Sequence, residues 1–82
     1  MRWIKIEFND NREFLINLNN IENIAKYEDT TTIHFWPIFN QCDPDDCYVA
    51  NYPNETIRDE MYEELMKRIA NNEINIITIK SI

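Results

Sequence analysis

The chain has no glycine among its 82 residues, while asparagine occurs twelve times. Glycine enters left-handed turn conformations without steric cost, so here those positions must fall to Asn or Asp, the next most tolerant residues. Clusters of these residues therefore mark the turns: "NDN" at 9–11, "NLNN" at 17–20, "EDTT" at 28–31, "DPDD" at 43–46 and "NN" at 71–72.

Between the marks the first half alternates with period two. Ile4, Ile6 and Phe8 fall on one side of a strand from Arg2 to Phe8, and Trp3, Lys5 and Glu7 fall on the other. The strand from Glu13 to Leu18 returns after the "NDN" hairpin with Phe14, Ile16 and Leu18 inward. A single turn follows, then a strand from Ile24 to Glu28. The segment from Thr32 to Phe39 puts Ile33, Phe35 and Phe39 on one face and His34, Trp36 and Ile38 on the other. Pro37 has no amide hydrogen to donate, which suits an edge or a bulge better than a central strand. Tyr48 to Tyr52 forms its partner.

The period changes over residues 56–70. Ile57, Met61, Tyr62, Leu65, Met66 and Ile69 form one stripe of an amphipathic helix, with Asp59, Glu60, Glu63 and Glu64 opposite. Thr56 and Asp59 read as a cap, and Asn71 and Asn72 as left-handed terminators. The closing "INIITIKSI" reads as a strand apolar on both sides. The expected fold is α+β in one domain over residues 1–82: a curled antiparallel sheet of five to six strands, one helix at about 56–70 and a C-terminal strand.

A chain of this size buries only about 60–65% of its unfolded surface. Fourteen isoleucines, ten aromatics and 44% hydrophobic residues are enough for it to fold without a metal or several disulfides. The opening MRWIKIEFND lacks an apolar segment of signal-peptide length, and no run approaches a membrane span, so a cytoplasmic location is expected. Fifteen acidic against eight basic side chains give a net charge of −7. That charge repels nucleic acid and anionic lipid and favours a partner with a basic surface.

Two cysteines flank the "DPDD" loop. Directly opposed strand residues have Cα atoms about 4.5–5.5 Å apart, within disulfide range, but a reducing compartment would keep both thiols reduced. Zinc would need two ligands beyond the thiolates, and the chain has one histidine, His34, besides carboxylates. A calcium loop starting at Asp43 fails at its sixth position, where Tyr48 replaces the required glycine. Asp43 and Asp46 disfavour a thiolate, and no base lies nearby in sequence. A plain turn carrying reduced cysteines is expected at Cys42 and Cys47. No cofactor is expected either, since one His, one Ser and no glycine leave no catalytic triad, phosphate loop or dinucleotide fingerprint. A non-enzymatic protein follows.

Apolar excess on the wet face carries more information. Trp3, Leu15, Trp36, Ile38 and Val49 all point away from the Ile4, Ile6, Phe14, Ile16 and Phe35 side. They must be covered by the fold itself, by a partner or by a second copy of the chain.

The run "WIKIEFNDNREFLINLNNIENIAKYEDTTTIHF" resembles the opening of the small flagellar FlbD family, and "YVANYPNETIRDEMYEELMKRI" continues the likeness. The matching positions are Asn17, Ile21 and Glu22, then Asp29, Thr30, Thr31 and Ile33. The cysteine loop and the strand after the helix depart from the family pattern. The resemblance implies a small non-enzymatic accessory protein with a curled sheet and one helix.

The functional expectation is a small acidic protein-interaction module. Trp3, Trp36 and Ile38 would be its anchors, with Asp59, Glu60, Glu63 and Glu64 as a polar rim. The alternative is an inhibitor, encoded by a phage or mobile element, whose helix carboxylates imitate nucleic acid and block a basic groove.

Overall fold

The computed structural model describes residues 2–38, 47–72 and 75–82. Its strands are β1 (Trp3–Phe8), β2 (Glu13–Asn17), β3 (Ile21–Lys26), β4 (Thr32–Pro37), β5 (Tyr48–Asn51) and β6 (Ile76–Ser81). A 3₁₀ turn at Leu18–Asn20 precedes β3, and the helix α1 spans Glu55–Asn71. The architecture is α+β, but the expected single antiparallel sheet does not form. Two open three-stranded sheets stand in its place, ordered β2-β1-β6 and β3-β4-β5.

The first sheet is mixed. β1 pairs antiparallel with β2, Ile4 opposite Ile16, and parallel with β6, Ile4 opposite Ile77. Parallel strands require a long crossover, and the intervening chain, ending in α1, delivers β6 in the direction of β1. Ile77 and Ile79 face inward while Ile76 and Lys80 face out, so β6 is an edge strand with an alternating pattern. The second sheet is antiparallel, with β4 central. Pro37 is tolerated there because it is the last residue of β4, next to a register shift at Ile21/Asn23.

The inner faces of both sheets meet under the helix. Ile4, Ile6, Ile33, Phe35, Leu65 and Ile77 are fully buried, with Met61, Tyr62, Met66 and Ile69 packed against them. Each such side chain contributes about 1.5–3 kcal/mol relative to exposure. The Tyr52 hydroxyl is buried too, which pushes its pKa up to about 12.

The turns follow the glycine-free rule. Positive φ occurs among the described residues at Asn11 (70°), Asp29 (61°) and Asn72 (58°), all Asn or Asp. The cap lies two residues before the expected Thr56: Asn54 is extended, and its side chain accepts from the amide of Ile57 at 2.9 Å. Arg2 closes the other end by donating to the carbonyls of Ile69 (2.9 Å) and Arg68 (3.1 Å).

Ile57 is exposed, and the inward place on the first turn belongs to Arg58, which is 5% exposed. Its guanidinium donates to the Tyr27 carbonyl at 3.0 Å, the Thr30 hydroxyl at 3.3 Å and the Asp59 carboxylate at 2.8 Å. One side chain thus ties α1 to the β3–β4 turn. Hydrogen bonds to a charged group contribute about 1.5–3 kcal/mol, so Arg58→Ala is expected to lower unfolding free energy by about 2 kcal/mol in a urea titration. Arg58→Lys should recover only part of that, because an ammonium lacks the planar fork.

Candidate functional site

With the helix on the inner side, the other face of the β3-β4-β5 sheet is left without a covering element among the described residues. Strand pairing sets its rows: His34 lies between Ala25 and Val49, Trp36 beside Asn23, and Thr32 beside Asn51. Tyr27 and Cys47 extend the face at its ends. None of these side chains is an Asp, Glu, Lys or Arg, in a chain with 28% of such residues.

Three rings form the centre. The His34 imidazole stacks on the Trp36 indole, 6.0 Å between centroids at 16°, and meets Tyr27 edge-on at 5.1 Å and 80°. The Trp36 Nε1–H donates to the Tyr27 hydroxyl at 3.0 Å, which fixes the indole's rotation. Tyr27 is 44% exposed, and Trp36 and His34 are half-buried. Rings held this way lose little entropy on binding.

The imidazole has a polar contact at each nitrogen: Nε2 lies 2.9 Å from the Thr32 hydroxyl and Nδ1 lies 3.4 Å from Cys47 Sγ. A neutral ring can make both contacts, since the hydroxyl and the thiol can each donate or accept. Burial holds the His34 pKa below its ordinary 6.5, in agreement with a neutral ring. An imidazole that is distant from Cys47 in sequence thus reaches it from β4. Cys42 and the rest of the "DPDD" loop lie outside the described residues.

The expected anchors divide between the two sheets. Trp36 sits on the outer face just described, and Ile38 follows it, 44% exposed, with its amide donating to the Asn20 carbonyl at 2.9 Å. Trp3 instead lies on the outer face of the first sheet between Asn17 and Ile76. There Leu15 is 56% and Ile76 49% exposed. Pro37 connects the two regions. It borders a cleft of about 560 Å³ with Trp3, Leu15, Ile21 and Tyr48, and another of about 560 Å³ with Glu22, Asn23, Tyr27 and Trp36.

The acidic rim is also divided. Glu60 and Glu63 are exposed and have no ion-pair partner among the described residues. Glu64 accepts from Arg68 at 2.7 Å. Asp59 is held by Arg58 at 2.8 Å and Lys26 at 3.2 Å, and these two cations, Arg58 foremost, keep its carboxyl below the ordinary 3.8. Two of the four carboxylates thus serve the chain's own cations.

Among the described residues, no group of three or more His, Cys, Asp or Glu side chains is placed to hold a metal. No helix of these residues is long and apolar enough to cross a membrane. Comparison with protein-family models, with curated proteins and with solved structures finds no match. Three of the positions that carry the flagellar resemblance serve the fold: Asn17 accepts from the Asn19 amide at 3.0 Å to cap the 3₁₀ turn, Asp29 takes a positive-φ position, and Ile33 is fully buried.

Tyr27 and Arg58 were not picked out by sequence reasoning. Arg58 had a signal, since it lies on the helical stripe three and four residues before Met61 and Tyr62 and seven before Leu65. A depressed histidine pKa means that the unfolded chain takes up its proton at higher pH than the folded one. The associated stability is present above about 6.5 and is lost as pH falls through the folded midpoint. The His34 imidazole carbon shifts, followed by NMR, should therefore titrate with a midpoint below 6.5.

Proposed function

We propose that this chain is a small, acidic, non-enzymatic interaction module that binds a partner protein through the outer face of the β3-β4-β5 sheet. The observation that carries the reading is the Tyr27–His34–Trp36 cluster, a rigid and nearly uncharged aromatic surface on the side of the sheet that α1 does not cover. Trp36 is its anchor, because indoles dominate interface energetics when they are pre-positioned. Trp3, with Leu15 and Ile76, forms a second apolar patch reached across Pro37 and enlarges the surface that a partner can cover. The proposed setting is the cytoplasm.

The basic residues near the tryptophans do not favour nucleic acid. Lys5 pairs with Glu13 at 3.4 Å, Arg12 with Asp10 at 2.7 Å, and Arg2 is occupied with the helix carbonyls. The inhibitor alternative, in which Asp59, Glu60, Glu63 and Glu64 block a basic groove, keeps the support of the −7 net charge. It would rely chiefly on Glu60 and Glu63, given the internal pairing of the other two.

With the partner captured from the source cell, Trp36→Ala should weaken binding by about 2 kcal/mol, roughly 30-fold, with the circular dichroism of the fold retained. Affinity should change little with salt for an aromatic anchor and fall steeply for a carboxylate-driven contact. Unchanged affinity in Trp36→Ala would remove this face, and a mass in solution that doubles would make a second copy the partner.

A further inference from the structure

The chain twice surrounds one of its own cations with a ring and a carboxylate. The Arg12 guanidinium lies 5.2 Å from the Phe8 centroid while its Nε is 2.7 Å from Asp10. The Lys26 ammonium lies 5.1 Å from the Tyr62 centroid and 3.2 Å from Asp59. The cleft beside Trp36 brings together the same two chemistries, since Glu22 lines it with Tyr27, Trp36, Asn23 and Pro37. Among the described residues, no Lys or Arg of the chain pairs with Glu22 or lies over the Trp36 ring.

We propose that this cleft receives an arginine side chain of the partner protein, stacked on Trp36 and paired with Glu22, an assignment that rests on the docking face argued above. The Trp36 indole is already oriented by its bond to Tyr27, and His34 stacks parallel to it, whereas the cleft borders Trp36 without bordering His34. The imidazole, in its neutral form, does not repel an incoming cation. Glu28 and Asp29, exposed in the turn after Tyr27, add to the negative potential nearby, in keeping with the net charge of −7. A volume of about 560 Å³ accommodates a guanidinium with its methylene stem. Arginine fits better than lysine because its planar head can stack on an indole while its N–H fork is still free to pair with a carboxylate.

The test uses the ¹⁵N-labelled full chain, whose two indole N–H signals are assigned with Trp36→Phe, and a short arginine-rich peptide as the probe. The Trp36 indole signal should shift on titration. A lysine peptide of equal charge should bind about threefold more weakly, and Glu22→Gln should weaken the arginine peptide by a similar factor. Glu60→Gln with Glu63→Gln should leave it unchanged. The assignment is overturned if the Trp36 signal stays still, if arginine and lysine peptides bind equally, or if affinity follows the helix carboxylates instead of Glu22. If the peptide fails while partner binding still depends on Trp36, the arginine assignment falls and the docking face stands.

Discussion

Everything in this fold depends on one shared core, where Ile33 and Phe35 of one sheet and Ile4, Ile6 and Ile77 of the other are buried together with Leu65 of the helix. A single helix in so short a chain can close only the inner side of two sheets. Because side chains alternate along every strand, burying those residues turns Trp3, Leu15, Trp36 and Val49 outward. The exposed aromatic surface is thus a geometric consequence of how the core is built. Its composition is not such a consequence, since polar residues at Tyr27, His34 and Trp36 would leave the same core intact.

Electrostatics hold the helix in place over that core and, in doing so, use up much of the charge that composition alone presents as available. Arg2 closes the C-terminal carbonyls, Arg58 ties the first turn to the β3–β4 connection, and Arg68 reaches both Glu64 and the Thr78 carbonyl. Surface ion pairs are individually weak, but a guanidinium buried among backbone carbonyls fixes position as well as adding energy. After these pairings the acidic excess is concentrated on residues such as Glu22, Glu28, Asp29, Glu60 and Glu63. Glu22 is the one of these that borders the aromatic cleft.

Local rules were legible in the amino-acid pattern, and non-local ones were not. Alternation in "WIKIEF" and "TIHFWP" gave the correct inner and outer faces, the spacing from Met61 to Ile69 gave the helix, and the missing glycine foretold the residue types at positive φ. The division into two sheets escaped because periodicity says which face of a strand is buried but not which strand it joins. The parallel pairing of β6 with β1 depends on the whole crossover between them, and reading "INIITIKSI" as apolar on both sides concealed its alternation over Ile76–Ser81. Trp3 and Trp36 were grouped for the same reason. Cys47 meets His34 only because it directly precedes β5, which pairs with β4, so nothing local signals the contact.

Hydrogen–deuterium exchange on the chain, alone and in complex with its captured partner, would locate the docking face. Exchange should slow on binding across 21–38 and 47–51, with the exposed side of α1 unchanged. Protection confined to residues 55–71, with the β3-β4-β5 sheet exchanging as in the unbound chain, would contradict this placement and assign binding to the acidic helix.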